Sequence, residues 1–216
     1  MRAVVRFGKQ ARLRFISHLD LQRFFQRALN RTGLPIAYSQ GFNPHPLMAF
    51  GSALALGWTS EYELIDIKLA FPMGRKRVED ALIDAMPADL PILEVKLVDD
   101  RHQSLMPMVR ASEYTIENSG IDQEMLDDFL VKAEVPAIRK TKSGEKEINI
   151  RPLVYSSSID NGKLICVLGL SETDTLKPDL LVNTIADTPK VELSIHRTKL
   201  LGFDENGELK PLMQLL

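Results

Sequence analysis

Residues 12–39, RLRFISHLDLQRFFQRALNRTGLPIAYS, decide the fold of the first half of the chain. Ser17 is a good N-cap, and Asp20 follows at the third helical position, so this pair predicts the start of a helix. Gly33, followed by a Leu-Pro pair, predicts its end, because glycine tolerates a left-handed cap and proline cannot continue the helix. The segment after the glycine, residues 34–39, is predicted to be a strand.

Two stripes run along this predicted helix. One is apolar at helical spacing and should be buried; it consists of Leu21, Phe25, Ala28 and Leu29. The other recurs at every fourth residue and consists of Arg23, Arg27 and Arg31. The helix is therefore predicted to pack one face on a core and to carry a row of guanidinium groups beside it.

Short strands are predicted around the helix. Alternating runs at 2–7 and 11–16 predict a strand or hairpin, and the prolines of GFNPHP at 41–46 predict a rigid loop. Residues 47–50 return to extended structure, and the alternation of residues 63–69 is typical of a strand with one aliphatic side.

A second helix at 75–86 and a strand at 92–98 complete the order strand, helix, strand, strand, helix, strand. This order predicts a ferredoxin-like unit, an antiparallel sheet with both helices on one face. Residues 1–100 are predicted to form this basic domain, and residues 101–111 a linker.

Residues 112–216 repeat the theme with extra strands. The predicted elements are a strand at 112–117, a helix at 122–134, a strand pair around Ser143-Gly144, a hairpin around the Asp160-Asn161-Gly162 turn, a helix from Pro178 to 186, and a last strand at 191–200. The fold class is therefore α+β, with two ferredoxin-like (βαββαβ) units.

Charge is segregated along the chain. Residues 1–50 contain eight basic side chains against Asp20 alone, a balance of +7, whereas the remaining residues hold 19 basic and 28 acidic side chains, a balance of −9. Such segregation indicates an anionic partner for the first segment, of which nucleic acid is the commonest, or else a solvated basic face.

Several classes are disfavoured by the sequence. No stretch approaches the roughly 20 apolar residues of a membrane helix, so we expect a cytoplasmic protein with no membrane partner. Cys166 is the single cysteine, too few for an iron-sulfur cluster, and no metal-ligand spacing is present. No nucleotide-binding, hydrolase or zinc-ribbon motif occurs, and we expect no cofactor and no metal.

The polar candidates for a site all lie in the first unit. His18 begins the helix and His45 stands between two prolines, so both are candidate catalytic residues, although a packed structural histidine is an open alternative for His18. The candidate nucleic-acid-binding residues are Arg12, Arg14, Arg23, Arg27 and Arg31. The other candidates are Ser17, Asp20, Tyr38, Ser39, Asn43, Glu63 and Asp66. Most nearby aromatics, namely Phe7, Phe15, Phe24, Tyr38 and Phe42, are expected in the core.

The run from residue 12 to residue 70 resembles a radical-SAM-associated family of unknown function, found as a free protein or as the C-terminal part of cobalamin-binding radical SAM proteins. The motifs that carry the resemblance are SHLD at 17–20, GLPIAYS at 33–39, GFNPHP at 41–46, and Glu63 with Asp66. The resemblance implies a partnership with a radical SAM enzyme, which would carry the cluster that this chain cannot ligate.

Three functions follow as expectations. The first is an accessory RNA-binding protein, not itself an enzyme, that presents an RNA substrate to a partner radical SAM modification enzyme, with no specificity for DNA. The second is a small ferredoxin-like enzyme acting on RNA, in which His18 and His45 are the acid and base. The third is a protein-interaction module for the radical SAM partner.

Overall fold

The computed structural model describes residues 1–141, 144–171, 173–186 and 192–216. The chain forms two compact units. Unit 1 consists of Met1–Val109 with Gly202–Leu216, and unit 2 of Arg110–Leu201. The C-terminal segment of 15 residues, which sequence analysis assigned to the second domain, thus packs with the first.

The first part of unit 1 follows the predicted element order. Its elements are β1 (Arg2–Lys9), α1 (His18–Arg31), β2 (Met48–Phe50), β3 (Thr59–Lys68), α2 (Arg75–Ala85), β4 (Ile92–Val98) and the short α3 (Leu105–Met108). The strands lie in the order β4-β1-β3-β2, and every neighbouring pair is antiparallel. This is the ferredoxin-like order, so the predicted fold class is confirmed for unit 1.

Helices α1 and α2 pack on the same face of the sheet of unit 1. Alternate residues of β1 enter one apolar cluster, joined by β3 and β4; the strand members are Ala3, Val5, Phe7, Ile65, Ile67 and Val95. The helices contribute their predicted apolar stripes, and those members are Leu21, Phe25, Leu29, Val78 and Leu82. The rings of Phe7, Phe25 and Phe50 pack together at centroid distances of 4.9–6.1 Å, which anchors α1 at the centre of this core.

Two predicted strands of unit 1 are wrong. Residues 11–16 form a 3-10 helix at Ala11–Phe15, because Leu13 and Ile16 face the core at a spacing of three residues, which matches the three residues per turn of that helix. Residues 34–39 form only isolated bridges, Ile36 with Leu69 and Tyr38 with Pro46.

Unit 2 repeats the ferredoxin-like order with an inserted hairpin. Its elements are β5 (Ala111–Glu117), α4 (Gln123–Leu130), β6 (Pro136–Thr141), β7 (Gly144–Asn149), β8 (Val154–Asp160), β9 (Lys163–Gly169), α5 (Pro178–Ile185) and β10 (Ser194–Phe203). The strand order is β10-β5-β9-β8, all antiparallel, and β6 pairs with β7 in a separate ribbon. The helices α4 and α5 contact each other on one face.

In unit 2 one predicted turn is confirmed, one predicted helix ends earlier, and two predicted elements include residues outside the described ranges. The turn before β9 is confirmed, with φ of +48° at Asn161 and +75° at Gly162, the pattern of a tight hairpin turn. Helix α4 ends at Leu130 instead of residue 134, and the Arg151 guanidinium donates to the Leu130 carbonyl at that end. Ser143 of the predicted turn and Val191 of the predicted last strand lie outside the described residues.

The C-terminal segment packs on the sheet face of unit 1 opposite α1 and α2. After β10 it forms β11 (Leu209–Pro211) and a 3-10 turn at Leu212–Leu215. The Met213 amide donates to the Tyr62 hydroxyl at 3.1 Å, and Lys96 donates to the Met213 carbonyl. Among the described residues, no helix is long and apolar enough to cross a membrane.

Candidate functional site

The start of α1 is fixed by the predicted cap. The Ser17 hydroxyl accepts from the Asp20 amide at 3.1 Å and donates to the Asp20 carboxylate at 2.7 Å. That hydrogen bond, with a smaller contribution from Arg23, holds the pKa of Asp20 below its usual value. These contacts give Ser17 and Asp20 a structural role as a helix cap.

The arginine stripe of α1 faces solvent. Arg23, Arg27 and Arg31 are all exposed, and a spacing of four residues rotates each by about 40° from the last, so they share one side of the helix. Arg23 lies 3.3 Å from Asp20, and both side chains are 58% exposed. Arg31 donates to the Ala85 carbonyl at 3.4 Å, where a cation suits the C-terminus of α2.

The loop Gly41–Pro46 is closed at its base by one residue pair. The Ser39 amide donates to the His45 carbonyl at 2.9 Å, the His45 amide donates to the Ser39 hydroxyl at 3.1 Å, and this hydroxyl lies 2.9 Å from His45 Nδ1. Gly41 has a φ of +133°, which only glycine adopts without strain. The loop is therefore held in shape although Asn43 and His45 are exposed.

A hydrogen bond joins this loop to α1. The Tyr38 hydroxyl donates to the Asn30 side-chain oxygen at 2.6 Å. Asn30 follows Arg23 by seven residues and Arg27 by three, which places it on the same side of α1. We call the surface formed by Arg23, Arg27, Arg31 and the loop Gly41–Pro46 the basic flank.

The exposure of aromatic side chains corrects the sequence analysis. Phe7 is buried and Phe24 half-buried, as expected, but Phe15, Tyr38 and Phe42 are exposed, and Phe42 is 106% exposed. The exposed rings lie in the 3-10 helix Ala11–Phe15 and in the segment from Tyr38 to Phe42. Phe42 was not predicted as a site residue; the missed signal is its position between Gly41 and an Asn-Pro pair at the tip of the loop.

Arg12 and Arg14 lie in the 3-10 turn before α1. Arg12 is exposed, and the guanidinium of Arg14 stands 4.6 Å over the ring of Phe15. The Arg14 carbonyl accepts from the Gly57 amide. Both arginines belong to unit 1 near the N-terminal end of α1.

His18 lies beside two buried charged residues, Lys9 and Glu63, a grouping that the sequence analysis did not predict. Its ring packs edge-on against Phe50 at 5.1 Å and lies 3.4 Å from the Gln22 side chain. Burial lowers the pKa of His18, the charge of Glu63 opposes this, and that of Lys9 adds to it. Lys9, the last residue of β1, is buried and donates to the Ile16 carbonyl. Burial also lowers the pKa of Lys9, against the attraction of Glu63.

The two candidate catalytic histidines have different surroundings. His18 contacts Phe50, whereas His45 contacts Ser39 in the loop. Phe50 ends β2 (Met48–Phe50), five positions after His45. The two rings therefore pack against different parts of the chain.

Glu63 and Asp66 lie on opposite faces of β3. They are three residues apart, and side chains alternate along a strand, so Glu63 shares the helix-facing side with Ile65. Asp66 is paired with Arg2 at 2.7 Å, and Arg2 also donates to the carbonyls of His102 and Gln103. Burial raises the pKa of Asp66 even though Arg2 opposes it. The Arg2–Asp66 pair therefore links β1 and β3, and Arg2 links both to the segment after β4.

Neither a metal site nor a reactive thiol emerges from the part of the chain that the structure describes. Its His, Cys, Asp and Glu residues form no group of three or more that could hold an ion. Cys166 is buried in unit 2, and burial raises the pKa of its thiol to about 12. At neutral pH this thiol is protonated, so it is neither a nucleophile nor a ready metal ligand.

Comparisons with known proteins identify the family. No curated protein matches the chain. A solved structure described as the crystal structure of a Cbf5-Nop10-Gar1 complex is similar with a TM-score of 0.48 and 10% identity, and the similarity covers 92% of this chain and 48% of that chain. This chain thus spans about half the length of that one.

A family described as an uncharacterized protein conserved in bacteria (DUF2344) matches residues 2–178. The matched range contains all the motifs at 17–66, and the family description names no radical SAM protein. Because the match covers more than half of the sequence, the chain belongs to this bacterial family.

Proposed function

We propose that unit 1 binds RNA through the basic flank and presents it to a partner radical SAM enzyme. The observation that supports this most is the exposure of Arg23 and Arg27 on the side of α1 that the Tyr38–Asn30 hydrogen bond joins to the loop. Cationic and hydrogen-bonding groups thereby share one accessible surface.

The arginines of this surface are available to an anionic ligand. The ion pair of Arg23 with Asp20 is exposed, and exposed pairs contribute little, so a phosphate can displace or share it. Arg27 projects one turn further along the same side. Guanidinium groups bind phosphate oxygens in a bidentate manner, which makes arginine well suited to a nucleic-acid backbone.

RNA is favoured over a bilayer or a protein by the polar groups beside the arginines. Asn43 and His45 are exposed and present an amide and an imidazole in the loop that follows Tyr38. Unpaired RNA is recognised by such groups on base edges, together with cations along the backbone.

The radical SAM partnership rests on the resemblance of the motifs at 17–20, 33–39 and 41–46. In this proposal the partner supplies the iron-sulfur cluster, since this chain has a single cysteine and its thiol is buried. The role of unit 1 is then to bind and position the substrate.

The other two functions are separated from this one by geometry and by experiment. A two-histidine enzyme requires His18 and His45 to share a cleft, and their separate contacts disfavour it. A protein-interaction module would use the same arginines to bind an acidic patch on the partner. It is distinguished by whether substitution of these arginines removes the bound RNA or the protein partner.

The test is ultraviolet crosslinking of the protein in cells, followed by measurement of the bound RNA and of co-purifying proteins. We expect RNA on the wild-type protein and its loss from the double variant Arg23→Glu/Arg27→Glu. The matched control is Arg75→Glu/Arg77→Glu, which makes the same charge change at exposed positions at the other end of α2 from Ala85.

The outcomes of this experiment are distinct. Loss of RNA from the flank variant alone supports the proposal. Wild-type protein that carries no crosslinked RNA contradicts it. Retained RNA with loss of a protein partner from the flank variant supports the interaction module instead.

A further inference from the structure

The most exposed large apolar side chain of the described residues is at the tip of the loop. Phe42 is 106% exposed, so its ring packs on nothing in the fold. Other exposed rings have a partner or a smaller exposure, such as Phe15 under the Arg14 guanidinium and Phe71 at 58%. Both faces of the Phe42 ring are therefore accessible to a ligand.

The loop presents this ring on a constrained backbone. Two hydrogen bonds between Ser39 and His45 close the base of the loop, one between their backbones and one from the His45 amide to the Ser39 hydroxyl. Tyr38 also forms an isolated β-bridge with Pro46. Pro44 and Pro46 fix φ at two positions in the loop. A ring held this way loses little conformational freedom when it stacks, which favours affinity.

The position of the ring relates it to the phosphate-binding arginines. Tyr38, four residues before Phe42, donates to Asn30 on the arginine side of α1. The segment that leads into the loop is therefore held beside Asn30, one turn beyond Arg27 on α1. The groups beside the ring, Asn43 and His45, are polar and exposed, and they can donate to or accept from a base edge.

We propose that Phe42 is a stacking platform for an unpaired RNA base, so that the loop selects single-stranded RNA while Arg23 and Arg27 hold its phosphates. This inference rests on the proposed function and adds the class of RNA and the residue that selects it. An aromatic face accepts a base only when that base is free of its own stack, which a duplex does not offer.

The experiment compares the equilibrium binding of a single-stranded oligonucleotide of about a dozen nucleotides with that of a blunt RNA duplex of the same sequence. The variants are Phe42→Ala and Phe42→Trp, and the control is Phe71→Ala, which removes an exposed ring elsewhere in unit 1. Circular dichroism of each variant checks that the fold is retained.

We expect Phe42→Ala to weaken single-strand binding by roughly 5- to 150-fold, the range for loss of one stacked base. Phe42→Trp should retain the binding, since it keeps an aromatic face. Phe71→Ala should leave it unchanged, and the weaker binding of duplex should not respond to Phe42→Ala.

Three results would overturn the inference. If wild-type protein binds RNA and Phe42→Ala binds equally well, only the stacking role fails and the arginine flank survives. If wild-type protein binds no RNA, the proposed function fails with it. If Phe42→Ala abolishes binding to phosphatidylserine vesicles but not to RNA, the ring contacts a membrane instead.

Discussion

The Tyr38 hydroxyl donates a 2.6 Å hydrogen bond to the side-chain oxygen of Asn30, and this contact joins the loop Gly41–Pro46 to the arginine side of α1. The two residues are eight positions apart, and Gly33 lies between them with a φ of +65°, which turns the chain back along the helix. The basic flank is therefore one surface because of a short-range turn and a single polar contact.

Removal of this contact should loosen the flank without unfolding unit 1. For Tyr38→Phe and Asn30→Ala we expect RNA affinity to fall by about 0.5–1.5 kcal/mol each, the usual contribution of one hydrogen bond. Because both variants remove the same contact, the double variant should be no weaker than either single variant. Fluorescence anisotropy with labelled RNA measures this, and additive losses would show that the bond does not couple the two elements.

The Ser17 cap should contribute to the stability of α1. We expect Ser17→Ala to lower the free energy of unfolding by about 0.5–2 kcal/mol, because the Asp20 amide loses its acceptor. Ser17→Thr, which keeps a hydroxyl, is the control and should lose much less. Urea unfolding provides the measurement, and equal stability of Ser17→Ala and the wild-type protein would contradict the capping role.

Much of the fold could be predicted from local patterns. The cap at Ser17, the stop at Gly33 and the turn at Asn161-Gly162 are decided by residues within a few positions of one another, and the structure confirms them. The ferredoxin-like order follows from the alternation and helical spacing of the elements.

What could not be predicted depends on contacts that are distant in the sequence. Residues 11–16 alternate like a strand but form a 3-10 turn, since Leu13 and Ile16 pack on the core three residues apart. The return of residues 202–216 to unit 1 depends on Met213 meeting Tyr62, 151 positions earlier. Likewise, Lys9 meets His18 and Glu63 only once β1, α1 and β3 are packed together.

The burial of His18 should make stability depend on pH. Since burial lowers the pKa of His18 in the folded state, the unfolded chain binds the proton more readily. The free energy of unfolding should therefore fall as pH drops below about 6.5 toward the folded pKa. His18→Gln should flatten this dependence when urea unfolding is measured between about pH 7.5 and 5.5, above the range of ordinary carboxylates. An equal slope in the variant would show that His18 is not the group responsible.

The interaction between Lys9 and Glu63 should be sensitive to removal of one partner. Both side chains are buried, so Lys9→Met leaves the Glu63 carboxylate without the buried cation and should cost about 3–5 kcal/mol of unfolding free energy. Lys9→Met/Glu63→Leu removes both charges and should recover much of that loss. Denaturant unfolding of the two variants measures this coupling. If the double variant is as unstable as the single variant, the charges of Lys9 and Glu63 are not coupled.

The salt dependence of RNA binding tests the role of the basic flank most directly. The measurement is the slope of the logarithm of the binding constant against the logarithm of salt concentration for a single-stranded RNA. If Arg23 and Arg27 each contact a phosphate, Arg23→Ala/Arg27→Ala should reduce the magnitude of that slope by about 1.4, from roughly 0.7 per phosphate on single strands. Arg75→Ala/Arg77→Ala should leave it as in the wild-type protein. Equal slopes for all three proteins would contradict the assignment of RNA binding to this surface.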